Sequence, residues 1–275
     1  MAELTGSYYS ENFVFHEVST FQPEFLRSGT VIYEVVRIIH GTALFLEDHI
    51  NRLQTSVNLS GLKYPVSIAE IRGMIANLVL KNNTQLGNVK IILLFPNHNA
   101  PVLYAFFIPH SYPTPPMVEA GVETDFFKAE RNDPNVKKLH PEMIQRVNAF
   151  ISAEKLYDAV LIDESNAITE GSRTNIFFIQ RETIFTPPAD VVLKGITRQK
   201  IFELCSNLEI TIIEQRISTN TLDEFRAAFF TGTSPKILPI NRIAHIRFSV
   251  SDPLLQKLIK TYDQLITDYI SNSSC

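Results

Sequence analysis

Ile168-Thr169-Glu170-Gly171-Ser172-Arg173-Thr174-Asn175-Ile176-Phe177-Phe178 sets a carboxylate ahead of a turn of small polar residues that runs straight into an apolar strand. A carboxylate at a strand end, among groups able to hydrogen-bond to it, can hold a ring nitrogen in its protonated form. An ordinary surface acid looks the same when read alone. The strand at 176–180 belongs to an alternation that fills the second half of the chain. Strands are expected at 118–126, 159–163, 176–180, 183–185, 209–214 and 227–231, with helices at 141–155, 196–207 and 253–269.

Upstream, residues 30–39 (TVIYEVVRII) are β-branched and aromatic-rich, and His40-Gly41 offers a turn into a second strand at 42–46. Apolar residues then recur at helical spacing over 47–59 and 67–80, with Ser67 and Glu70 spaced as a capping box. Two more strands follow at 88–95 and 101–108. Residues 109–116 (PHSYPTPP) hold four prolines, which remove backbone donors and favour extended chain over helix. The expected organisation is α+β: a small α/β domain at 1–108, a Pro-rich linker at 109–117 and a larger mixed domain at 118–275.

The chain has 275 residues, 45% of them hydrophobic, enough for a substantial core in two compact units. Its formal charge of −4 and pI near 6.0, with both signs interspersed, argue against nucleic acid or an anionic membrane as partner. Cys205 and Cys275 stand alone, so neither a disulfide framework nor a metal-ligand cluster is expected. The polar start of the chain lacks the apolar core of a signal peptide, and no run approaches the ~18 apolar residues a bilayer span needs. The expectation is a soluble cytoplasmic protein without a metal.

Three further segments offer chemistry. In Lys194-Gly195-Ile196-Thr197-Arg198, a glycine precedes an amphipathic helix whose first turn presents N–H groups, a positive dipole end and the Thr197 hydroxyl, all suited to a phosphate. Phe229-Phe230-Thr231-Gly232-Thr233-Ser234-Pro235 runs from an apolar strand into a hydroxyl-rich turn of the kind that binds anions. Asn135-Val136-Lys137-Lys138-Leu139-His140 holds two lysines, and a lysine whose pKa is lowered by its surroundings can form a Schiff base. Each also reads as a plain helix start, polar turn or solvated charge pair. Arg52, on a helix with Ile50 and Leu53 on its apolar face, adds a cation that reads equally as solvated.

Taken in order, YEVVR (33–37), HINRL (49–53), NVKKLH (135–140), ITEGSRTNIFF (168–178), KGITRQK (194–200) and TGTSPKILPI (231–240) resemble the fold-type IV pyridoxal 5′-phosphate (PLP) enzymes. That family contains branched-chain and D-amino-acid aminotransferases and aminodeoxychorismate lyases, and the similarity runs from about residue 29 to 240. The resemblance implies that Lys137, rather than Lys138, carries the cofactor and serves as the catalytic amine. It implies that Glu170 pairs with the pyridine nitrogen, and that Arg52, Ile196, Thr197 and Thr233 hold the phosphate. Thr174 and Asn175 would line the cofactor, Tyr33 and Arg37 would face the substrate, and the protein would be a homodimer.

The chain also departs from the pattern. An arginine that D-amino-acid aminotransferases and many lyases of the family carry near the end of the strand at 88–95 is missing, which leaves Arg37, Lys90, His98 and Arg131 as candidates for the substrate carboxylate, with Arg37 foremost. His140 stands where the family often has asparagine, and the longer N-terminal segment usual in branched-chain enzymes is absent. The expected function is transfer of an amino group between a small amino acid, branched-chain or D-amino-acid-like, and a 2-oxo acid. The alternative is a 4-amino-4-deoxychorismate lyase releasing pyruvate and 4-aminobenzoate, which the chain length and Lys90 suit. A PLP-binding protein without turnover finds no support, since Lys137 and Glu170 are both present.

Overall fold

The computed structural model describes residues 4–24, 29–64, 67–97, 100–131 and 133–273, so His98 and Cys275 lie outside the described residues. Contacts divide the chain into two compact units, one of Met1–Ser111, Val136–Leu139 and Ile266–Cys275, the other of Tyr112–Asn135 and His140–Leu265.

The smaller unit contains β1 (Thr5–Glu11), β2 (Val14–Glu17), β3 (Gly29–Ile39), β4 (Thr42–Ala43), α1 (Leu46–Leu59), α2 (Ile68–Asn82), β5 (Leu86–Pro96) and β6 (Val102–Ile108). Its six strands are ordered β2-β1-β6-β5-β3-β4. Strand side chains alternate between faces, and here the two faces differ in kind. Ile32, Val36, Val89 and Ile91 pack with Ile50, Leu53, Ile75 and Leu78 of the two helices. Tyr33, Ile92, Tyr104 and Phe106 form a second cluster on the other face, the one toward which alternation also directs Arg37 and Lys90. The capping box is present, since Glu70 N donates to Ser67 Oγ at 3.3 Å.

The larger unit contains α3 (Pro115–Ala120), β7 (Val122–Lys128), α4 (Pro141–Glu154), β8 (Asp158–Ile162), β9 (Ala167–Gly171), β10 (Asn175–Gln180), β11 (Thr183–Thr186), α5 (Ile196–Asn207), β12 (Thr211–Glu214), β13 (Ile217–Ser218), β14 (Ala227–Gly232), β15 (Lys236–Ile243) and β16 (Ile246–Arg247). A last helix, α6 (Pro253–Ser273), runs from this unit into the smaller one. The strands form a ten-stranded sheet, β12-β11-β10-β14-β15-β7-β8-β9-β13, with β16 on β15. Phe177 of β10 and Phe229 of β14 are directly paired and stack with ring centroids 5.1 Å apart, both wholly buried.

Several elements depart from the sequence-based expectation. The strand expected at 118–126 begins only at Val122, because Pro115 and Pro116 occupy the first turn of α3, where a missing N–H costs nothing. The strand expected at 42–46 ends at Ala43, and Leu46 already belongs to α1. β15 carries Pro239 inside a paired strand, opposite Phe229 and next to a register shift in its pairing with β7. β1 was hidden by its polar composition. It is fastened by Asn82 at the end of α2, whose Oδ1 accepts from Ser7 N (2.6 Å) and Tyr8 N (2.9 Å) while Nδ2 donates to Tyr8 O (3.1 Å) and Leu78 O (2.9 Å). Gly6 is required there, at φ 85°, because a Cβ would collide with Asn82.

No helix among the described residues is long and apolar enough to cross a membrane. Asn82→Ala should strip two N–H groups of β1 of their acceptor and lower unfolding free energy by about 1–3 kcal/mol in urea titration. A wild-type midpoint would show that β1 is held by its sheet neighbours alone.

Candidate active site

In the smaller unit, residues 136–139 add a short antiparallel segment to β3. Tyr33 N donates to Lys137 O (3.1 Å), Leu139 N donates to Val31 O (3.1 Å), and Ile32 is bridged with Lys138. This pairing separates the two lysines. Lys137 shares a face with Tyr33, its Nζ 5.0 Å from the ring centroid, and alternation turns Lys138 the other way. Lys90 Nζ lies 4.7 Å from the same ring. Lys90 and Arg37 are both buried, on adjacent strands, with Lys90 opposite Val35 and Arg37 opposite Asn88. Burial brings the Lys90 amine down to about 8, because the charged form loses its hydration.

Glu34, between Tyr33 and Val35, points to the helix side. Its carboxylate is fully buried and accepts from Arg52 Nε and Nη2 and from His49 Nδ1, each at 2.7 Å. Burial alone would raise this carboxyl, but the charge and hydrogen bonds of Arg52, joined by His49, hold it at about 2. Burial also lowers the His49 pKa despite the acid beside it, so the contact is a hydrogen bond from a neutral ring rather than an ion pair. One turn beyond Arg52, Ser56 Oγ accepts from Lys137 N at 3.3 Å. Thus one face of α1 touches both the inward side of β3 and the lysine segment.

In the larger unit, Glu170 is the penultimate residue of β9 and Asn175 opens β10, and both converge on Leu193. Glu170 Oε2 accepts from Leu193 N (3.2 Å) and lies at the long limit of hydrogen bonding, 3.5 Å, from Asn175 Nδ2, which donates to Leu193 O at 2.8 Å. Arg131 Nε stands 2.7 Å from Glu170 Oε1 as an ion pair, without the alignment of a hydrogen bond, and Arg131 Nη2 donates to Ser172 O (3.0 Å). Arg131, a candidate for substrate carboxylate, is therefore engaged with Glu170. Thr174 Oγ1 donates to the buried Asp158 (2.8 Å), as does Ser172 Oγ, so Asp158 braces the turn after Glu170. A Cβ on Gly171 would collide with Thr174 Oγ1.

Ile196 and Thr197 are the first two residues of α5 and are buried. Gly195 has an ordinary φ of −60°, so its backbone conformation does not require a glycine. Its missing side chain leaves room for Asn175 Oδ1. Thr197 Oγ1 receives a hydrogen bond from Tyr262 (3.3 Å). Thr233 lies in the turn between β14 and β15, half-buried. At the end of β14, Thr231 Oγ1 is buried with no hydrogen-bond partner among the described residues, and Thr231 is paired with Asn175 across the sheet. His140 occupies the N-cap position of α4 without a side-chain cap.

Glu34, His49 and Asp158 were missed by sequence reading, and Thr231 figured there only as part of the hydroxyl-rich turn at 229–235. For Glu34 a clue existed: in the period of two, it falls in phase with Ile32, Val36 and Ile38, where an acid demands a buried partner.

The sequence model of the amino-transferase class IV family matches residues 31–243. A Rickettsia typhi protein named "Probable branched-chain-amino-acid aminotransferase" is 30% identical, the match covering 78% of each chain. D-alanine aminotransferase of Bacillus licheniformis is 26% identical over 78% of this chain and 79% of its own. The solved structure of Escherichia coli branched-chain amino acid aminotransferase superposes with a TM-score of 0.82 at 19% identity, covering 95% of both chains, which shows a shared fold. The chain belongs to the amino-transferase class IV family.

A carboxyl held at about 2 instead of 4.5 contributes roughly 3 kcal/mol of stability, in full above pH 4.5 and lost as pH falls through 2. The stability gap between wild type and Glu34→Gln should therefore be level above pH 4.5 and close between pH 4.5 and 2 in urea unfolding. A gap independent of pH across that window would mean that Glu34 is not the charged member of the cluster.

Proposed function

We propose that the protein is a PLP-dependent aminotransferase that moves an amino group between a branched-chain amino acid and a 2-oxo acid. The observation that carries this is the family match spanning Lys137 and Glu170, with relatives named for branched-chain amino acids. The donor set fits PLP. It supplies an amine on Lys137, a buried carboxylate on Glu170, a buried helix start with no Cβ at Gly195, and a Thr231 hydroxyl with no hydrogen-bond partner among the described residues.

When bound, PLP supplies an electron-accepting ring that lets a proton leave the amino-acid Cα. The residues have separate duties. Lys137 would hold the cofactor through its amine, and the same amine is placed to take and return a proton. Glu170, oriented by Arg131 and Leu193 N, would hold the ring nitrogen protonated, and Thr174 and Asn175 would line the cofactor. In the smaller unit Arg52 supplies charge for the phosphate; in the larger one Ile196, Thr197 and Thr233 supply N–H and hydroxyl donors. Tyr33, Arg37 and Lys90 share a sheet face with Ile92 and Phe106, which suits a substrate with one carboxylate and an apolar side chain. A homodimer in the cytoplasm completes the proposal. The lyase alternative keeps one support, Lys90, as a second cation for a substrate with more than one carboxylate.

An assay of L- and D-amino acids with 2-oxoglutarate or pyruvate, beside aminodeoxychorismate, tests the reading; turnover of the last alone would replace it with the lyase. Lys137→Ala should lose the absorbance of lysine-bound PLP on dialysis, whereas Lys138→Ala keeps it, and equal loss would reject Lys137. For carboxylate recognition, Arg37→Ala and Lys90→Ala should each raise KM at unchanged PLP absorbance, by the ~1.5–3 kcal/mol of a charge-assisted contact. Because the Lys90 amine lies near 8, KM should climb above pH 8 in the wild type and not in Lys90→Arg. A KM profile indifferent to both substitutions would remove Lys90 from the site.

A further inference from the structure

We propose that Glu34 is a positioning residue for phosphate recognition, its buried carboxylate gripping one edge of Arg52 so that the guanidinium is already oriented when the cofactor phosphate arrives. This deepens the reading of Arg52 as the phosphate cation and rests on it.

Three observations carry the inference. The Glu34 side chain is wholly buried and that of Arg52 is 9% exposed, so the pair is shielded from competing water. Arg52 engages through Nε and Nη2, each 2.7 Å from a different carboxylate oxygen, a two-point fork that fixes the guanidinium plane. His49 Nδ1 donates to the oxygen that also takes Nη2, so the carboxylate cannot turn without breaking a second contact. A lone arginine surrenders side-chain freedom whenever it binds an anion. Here that ordering precedes the anion, because the Nε–Nη2 edge is already fixed against Glu34. A purely structural pair would need Arg52 only to neutralise Glu34.

The test compares affinities of the apo-protein for PLP and for pyridoxal, which lacks the phosphate, by calorimetric titration. Glu34→Gln is expected to weaken PLP about tenfold or more while pyridoxal binding stays within about twofold. Arg52→Lys, which keeps the charge but loses the fork, should show the same selective loss, and the double variant should be no worse than Arg52→Lys alone. If Arg52→Lys leaves the ratio of the two affinities at its wild-type value, Arg52 is not the phosphate cation and the underlying reading fails. If Arg52→Lys collapses the ratio and Glu34→Gln, shown folded by its thermal transition, does not, the positioning role is overturned. Should Glu34→Gln fail to fold, the His49 variants decide. His49→Ala should lower the ratio and His49→Asn, which keeps a donor near Nδ1, should restore it; a wild-type ratio in His49→Ala overturns the proposal.

Discussion

A carboxylate taken wholly out of water must be matched by donors and charge or it destabilises the fold by several kcal/mol. Glu34 is such a group, and the smaller unit is arranged around it. Satisfying it requires His49 and Arg52 on one face of α1, which sets the rotation of that helix over the sheet. With the rotation set, Ser56 meets the backbone of Lys137. Because Glu34 and Tyr33 are adjacent on β3, alternation ties the inward ionic cluster to the outward ring beside which Lys137 lies. One buried charge thus connects helix, sheet and lysine.

The larger unit uses the same device with different chemistry. Glu170 is matched by a guanidinium and a backbone N–H, whereas Asp158 is matched by two hydroxyls and the N–H of Ala159. The two acids flank one turn, Asp158 through Ser172 and Thr174 and Glu170 from the strand end before it. Gly171 and Gly195 occur where these side chains need the space a Cβ would take. The glycines are therefore packing residues here, and neither has the positive φ that usually explains such a choice.

Local pattern predicted what local physics decides. The helix at 196–207 was delimited correctly because a glycine, an apolar repeat and a chain exit coincide. The Ser67–Glu70 box worked for the same reason, since both partners lie within one turn. β1 and β9 were not legible: β1 is polar and fastened from Asn82, more than seventy residues away, and β9 is buried although it carries Thr169 and Glu170. For the site, the ordered motifs pointed to Lys137 over Lys138, and the two-residue strand period sends these two side chains to opposite faces. Read alone, Arg52 looked solvated, and Arg131 was one of four candidates for the substrate carboxylate; the acids they pair with, Glu34 and Glu170, lie far from them in sequence.

The two faces of the small sheet divide the labour in a way that bears on how its substrate preference can change. The inward face is constrained by a charge cluster in which removing one member leaves another buried and uncompensated, so substitutions there are costly. The outward face holds Lys90 and Arg37 on the same side as the apolar rings of Tyr104 and Phe106. Lysine and arginine are not equivalent on that face. Burial brings the Lys90 amine to about 8, whereas a guanidinium stays charged throughout the working range. On the proposed reading of Lys90 as a cation for the substrate carboxylate, binding would depend on pH and on the charge the ligand brings, since a bound carboxylate would restore the ammonium form that burial disfavours. Exchanging lysine for arginine at position 90 would trade that responsiveness for a permanent charge, without touching the inward cluster that holds α1 in place.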